Sequence, residues 1–103
     1  MRISQNEISK IKNVLTEFQL LPSCKIFLFG SRLYDYKKGG DIDLILLCPE
    51  SSYKNIHDIK FKIKSELEFA LDEQRVDLTI TTESILNSDP FLLSVKGELK
   101  DLL

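Results

Sequence analysis

The sequence predicts an α/β (α+β) fold, a small sheet flanked by helices, in a single domain spanning residues 1–103. Three observations carry that expectation. Apolar residues recur at helical spacing over residues 4–20 and 51–71. Short runs dense in aliphatic and aromatic residues stand at 24–29, 41–48 and 75–81, the length and composition of strands. The prolines Pro22, Pro49 and Pro90 all fall at the boundaries between these segments.

The elements follow in order. Ser4-Gln5-Asn6-Glu7 fits a capping box at the head of a first helix. Ile8, Ile11, Leu15 and Phe18 form its apolar stripe, and Pro22 ends it near Leu20. Cys24 to Phe29 reads as a strand broken by Gly30-Ser31, with a short helical turn from Ser31 to Tyr36 and the Gly39-Gly40 pair behind it. Asp41 to Cys48 is the second strand, its Leu44-Ile45-Leu46-Leu47 tail apolar on both faces. Ser51 to Leu71 reads as one helix with Ile56, Ile59, Ile63, Leu67, Ala70 and Leu71 inward, and Lys54, Lys60, Lys62 and Lys64 on a solvated face. Asp72-Glu73-Gln74 turns the chain into a third strand, Arg75 to Thr81. Residues 84–103 hold two short helices split near Asp89-Pro90. Pattern alone leaves open whether the first two strands run antiparallel.

Composition narrows the function. A 43% apolar and 29% charged chain can build one modest core. A net charge of −2 argues against nucleic acid as the main partner, since phosphate-backbone binding favours a basic face. Lys37 and Lys38 still offer a local cluster for a small phosphorylated ligand. Cys24 and Cys48 lie beside apolar strand segments and read as buried packing residues, with no short-spaced Cys/His set for zinc. No apolar run is long enough to span a membrane, and Met1-Arg2-Ile3-Ser4 does not open a signal peptide. A reducing cytoplasm is the expected location.

The chemistry concentrates in Phe29-Gly30-Ser31-Arg32 and Asp41-Ile42-Asp43, with nine residues between Ser31 and Asp41. Side chains alternate along a strand, so Asp41 and Asp43 share one face, about 7 Å apart. Two such carboxylates repel each other unless a cation sits between them, and oxygen ligands favour magnesium or manganese. Asp77, between Val76 and Leu78, also leaves the core side. If the second and third strands are neighbours, the three acids converge, an arrangement suited to two divalent ions and displacement at phosphorus. Gly30 lets a phosphate approach the backbone, and Ser31 offers a hydroxyl and an N–H at the start of a helical turn. Arg32 and Lys37 or Lys38 could neutralise further phosphate charge. Taken singly, each feature is more often a turn, a solvated strand end or an ion pair, Asp77 with Arg75 for instance. Their conjunction is what points to a metal-bound nucleoside triphosphate.

Other residues carry less. His57 reads as a surface residue. Tyr34 and Tyr36 flank the phosphate turn, as lid packing or as base-stacking or self-modified residues. Arg32 either touches phosphate or pairs with Asp35. Phe91-Leu92-Leu93-Ser94-Val95 either finishes the core or exposes a patch for a partner.

On these residues the chain resembles the DNA polymerase β-like nucleotidyltransferases, in particular the minimal, stand-alone branch (MNT). The shared pattern is Gly30-Ser31, a spacer, Asp41-x-Asp43, and Asp77 on a later strand, and it covers nearly the whole chain. The resemblance implies that Gly30 and Ser31 hold the β- and γ-phosphates, with Arg32 beside them. Asp41, Asp43 and Asp77 would bind two magnesium ions, or manganese. Asp77 would also help deprotonate an acceptor hydroxyl that attacks the α-phosphate and releases pyrophosphate. Minimal members resemble the antitoxin half of HEPN/MNT toxin–antitoxin pairs. By that analogy ATP supplies AMP to a tyrosine of a HEPN-type toxin partner. A second expectation of another class is a non-catalytic antitoxin that masks its partner by binding. A third is small-molecule adenylylation of the antibiotic-modifying type, with a homodimer building the acceptor pocket.

Overall fold

The computed structural model describes residues 3–29 and 41–103. The first helix, α1 (Gln5–Glu17), starts at the expected capping box. Ser4 Oγ accepts the Glu7 N–H at 3.1 Å, and the Ser4 N–H donates to Glu7 Oε1 at 2.9 Å. Its buried face is Ile11, Val14 and Leu15, with Ile8 and Phe18 at the margin. The helix stops three residues earlier than the proline suggested. Gln19 turns left-handed (φ 60°) and the Leu20 N–H reaches back to the Leu15 carbonyl at 2.9 Å, closing the last turn before Pro22.

Three strands follow the predicted order: β1 (Lys25–Phe29), β2 (Ile42–Leu47) and β3 (Val76–Thr81). β1 and β2 are antiparallel, which settles the question the pattern left open, and β2 and β3 are parallel. The parallel pair needs a crossover, supplied by a 3₁₀ turn (Glu50–Ser52), α2 (Tyr53–Asp58) and α3 (Lys60–Ala70). The single helix expected over 51–71 is thus broken. At Ile59 (φ −106°, ψ 20°) the N–H bonds to the Ile56 carbonyl at 3.1 Å, tightening one turn. Periodicity runs straight through the break, because Ile56 and Ile63 are about two helical turns apart and both stay buried. Ile59 itself is left at the surface.

After β3 come α4 (Glu83–Leu86) and α5 (Pro90–Val95), each capped by a side chain: Thr82 accepts from the Ile85 N–H and Asp89 from the Leu92 N–H. These are the two short C-terminal helices, split at Asp89-Pro90 as expected. One element was not anticipated. A second 3₁₀ turn (Lys96–Glu98) leads into β4 (Lys100–Asp101), which pairs antiparallel with β1. The mixed sheet has the order β3-β2-β1-β4.

Strand alternation divides the sheet into two faces. Ile26 and Leu28, with Ile42, Leu44 and Leu46 and with Val76, Leu78 and Ile80, pack in one cluster with α1 and α3. On the other face Ile45 is buried with Leu86 and Leu92 of α4 and α5, flanked by the half-buried Phe27, Phe29 and Leu47. In the C-terminal apolar run, Leu92 finishes the core in this second cluster, while Phe91 and Leu93 are exposed. Cys24 and Cys48 are buried free thiols, as the sequence suggested. Burial first, and then the neighbouring Cys24, push the Cys48 thiol up to about 12, so it stays protonated and inert. His57 is exposed, its ring 5.5 Å from that of Tyr53.

Candidate active site

Sheet register builds the site. Phe29 of β1 is the partner of Asp43 on β2, and Asp43 is the partner of Asp77 on β3. Residues directly opposite share a face, so Phe29, Asp43 and Asp77 stand in a row across three strands. The row lies on the face that α4 and α5 cover only in part. Asp77 is exposed and Asp43 half-buried. The Asp43 carboxyl is raised above the usual carboxylate range, by burial first, then by the nearby Asp77 and Asp41 charges. Partial burial among like charges is an environment that a proton or a bound cation would relieve.

Asp41 sits one residue before β2, half-exposed, with Arg75 Nε 3.7 Å from its Oδ1. The register explains the pairing. Ile42 lies opposite Val76, so the residues just before them, Asp41 and Arg75, meet at the mouth of the strands. The ion pair that the sequence offered for Asp77 therefore goes to Asp41. The signal was the parallel register, which no single-strand pattern contains.

β2 and β3 are neighbours, as convergence of the three acids requires. Asp43 and Asp77 are brought level, whereas Asp41 is engaged by Arg75. Among the described residues, no three His, Cys, Asp or Glu side chains are gathered as a ready ion site. The donor chemistry nevertheless fits a divalent cation: carboxylate oxygens only, with one carboxyl raised by burial and then by its acidic neighbours. Gly30, Ser31 and Arg32 lie outside the described residues, as do Tyr34, Tyr36, Lys37 and Lys38. The described chain reaches Phe29, immediately before them. Beside Phe29 stands Phe91, edge-on, with ring centroids 6.2 Å apart and an interplanar angle of 65°. Sequence reading gave Phe91 no link to this site, because the contact joins residues far apart in the chain. Among the described residues no helix is long and apolar enough to cross a membrane.

A family profile for the nucleotidyltransferase domain matches residues 8–101. The chain belongs to that family. The nucleotidyltransferase reading, the expected enzyme class and the mixed α/β fold thus hold together. Solved structures similar to it include two toxin–antitoxin structures. One is a mutant of the toxin–antitoxin MntA–HpeT, at 23% identity and a TM-score of 0.59, over 93% of this chain and 71% of that one. At this identity the likeness speaks for the fold. The other is a toxin–antitoxin with AMP-PNP, at 25% identity and a TM-score of 0.59, over 93% of this chain and 72% of that one. No curated protein matches the chain. In this nucleotidyltransferase, the facing pair Asp43 and Asp77 occupies the partly covered face of the sheet, with Asp41 at the strand mouth.

Proposed function

We propose that this nucleotidyltransferase moves AMP from ATP to a hydroxyl, that of a tyrosine on a HEPN-type toxin partner in the cytoplasm, and thereby acts as an antitoxin. The observation that carries the reading is the register pairing of Asp43 with Asp77 beside the strand that runs into Gly30-Ser31. The resemblance to a toxin–antitoxin with AMP-PNP supports both the nucleotide and the partner.

In this reading Gly30, Ser31 and Arg32 hold the β- and γ-phosphates, and Asp41, Asp43 and Asp77 hold two magnesium ions, or manganese. Bound metal would supply charge neutralisation at the α-phosphate and at the departing pyrophosphate. Asp77, at the sheet edge, accepts the hydroxyl proton. The acceptor oxygen bonds to the α-phosphorus, the bond from that phosphorus to the bridging oxygen breaks, and pyrophosphate leaves. Asp41 must be released by Arg75 to ligate. An exposed pair of that length contributes only about 0–1 kcal/mol, so exchange for a divalent ion is easy.

The test is transfer of label from α-labelled ATP, GTP, CTP and UTP with magnesium or manganese, to the chain alone and to its genomic neighbour. Asp41→Asn/Asp43→Asn is the control. A labelled partner band, strongest with ATP and lost in the control, is expected. Toxin neutralisation that survives the double substitution without label would replace this reading by a masking antitoxin.

A further inference from the structure

The third acid of the site is delivered by a turn that needs holding. Asp72 (φ 59°) and Glu73 (φ 67°) are consecutive left-handed residues between α3 and β3. That conformation disfavours residues with a Cβ by about 1–2 kcal/mol each. Asp77 lies four residues beyond it.

Glu68, in the last part of α3, grips both ends of this turn. Its backbone carbonyl accepts the Glu73 N–H at 2.8 Å. Its side-chain Oε2 accepts the Val76 N–H at 2.8 Å and the Lys64 ammonium at 2.7 Å. Among the described residues β3 is an edge strand of the sheet, so the Val76 N–H points where none of their strands lies beside it. The other end of the same peptide unit points inward: the Arg75 carbonyl accepts the Ile42 N–H at 2.9 Å. One peptide plane is therefore pinned from two sides. Glu68 holds it from α3, and the backbone between Asp41 and Asp43 holds it from β2.

We infer that Glu68 is a positioning residue of the metal site, its carboxylate fixing the first peptide of β3 so that Asp77 faces Asp43. The inference rests on the reading of Asp43 and Asp77 as metal ligands. Lys64, one turn back on α3, donates to the same carboxylate without reaching the turn, and Glu68 itself touches neither nucleotide nor metal. Without the carboxylate the Val76 N–H loses its partner on a half-exposed edge, and the strained turn relaxes toward ordinary backbone angles. Asp77 then moves relative to Asp43.

The probe is manganese alone, titrated into the full chain and followed by electron paramagnetic resonance, with amide hydrogen exchange at Val76 alongside. Glu68→Ala is expected to weaken manganese binding about tenfold, the scale seen when groups supporting metal ligands are removed. Exchange at Val76 should quicken while Leu78 stays protected. Glu68→Gln, which keeps an acceptor oxygen for Val76, should bind within about threefold of the parent, since the backbone bond it preserves is the one that matters. Lys64→Met should do the same. In an Asp77→Asn background, Glu68→Ala should add nothing, because its effect passes through Asp77. If Glu68→Ala does not fold, Glu68→Asp retracts the carboxylate while keeping its charge and should weaken manganese in the same direction. Unchanged manganese affinity in Glu68→Ala or Glu68→Asp overturns the inference, as does a loss that persists undiminished with Asp77→Asn. Both results leave the nucleotidyltransferase reading standing. Failure of the parent chain to bind manganese with or without ATP overturns the metal-site reading and this inference together.

Discussion

The two faces of the sheet are built differently. Under α1 and α3, the strands contribute residues from β1, β2 and β3 to one continuous cluster, and long helices seal it. Under α4 and α5, helices of four and six residues cover a cluster in which, among the described residues, three side chains are buried: Ile45, Leu86 and Leu92. The first face fixes the strands and their register. The second leaves Asp43 half-buried and Asp77 open, which a face sealed by long helices could not do. With the proposed site at Asp43 and Asp77, stability and chemistry would fall on opposite sides of the same strands.

Leu44 and Ile45 test that division most directly. They are neighbours on β2, both fully buried, and belong to different clusters. Leu44→Ala should destabilise the fold by about 4 kcal/mol, because the cavity it leaves is walled by α1, α3 and the sheet and cannot collapse. Ile45→Ala should cost about 2.5 kcal/mol, since short helices can settle into the gap. Urea denaturation measures both. Equal losses would mean that the thin face is as rigid as the thick one, and the comparison would fail.

Asp43→Asn sharpens the same contrast from the chemical side. Transfer should fall about a hundredfold or more, the usual scale for removing a charge-stabilising group from an active site. Stability should move the other way. The folded-state pKa of Asp43 is raised, so the stability linked to its proton is complete below the ordinary value of 3.8 and is lost as pH rises through the folded value. Asparagine is never charged and escapes that loss. In metal-free buffer at pH 7, Asp43→Asn should therefore melt higher than the parent, with the advantage fading toward pH 3. Manganese should stabilise the parent and not the variant. A lower melting temperature for the metal-free variant at pH 7 would show that the Asp43 carboxylate stabilises the fold at neutral pH.

Much of this was legible in the sequence because it is local. The capping box at Ser4, the apolar stripe of α1, the alternation around Asp43 and the proline that opens α5 each state their structure within a few residues. What was illegible depends on register or on distance. The break at Ile59 hides behind an intact periodicity. β4 is two residues long and is defined only by its partner, β1. The Asp41–Arg75 pair, the Phe29–Phe91 contact and the Glu68–Val76 bond each join elements that the pattern could name but not place side by side.

On the thick face, Ser4→Ala removes one half of the capping box and should cost about 1 kcal/mol by urea denaturation. A smaller effect is expected on the thin face, where the turn after β2 is tied to α4. The Glu50 carboxylate accepts the Ser84 N–H and the Ser84 hydroxyl, each at 3.1 Å. The backbone N–H first, and then the hydroxyl, hold the Glu50 carboxyl below the usual carboxylate range. A depressed carboxyl stabilises the fold above its unfolded value of 4.5, and that contribution is lost as pH falls through the folded value. Because this clasp is exposed, Glu50→Gln should lower the melting temperature at pH 7 by less than Ser4→Ala does. The gap between Glu50→Gln and the parent should close as pH falls through the lowered folded value, below which both side chains are neutral. A gap that stayed constant with pH would mean that the clasp acts through shape alone.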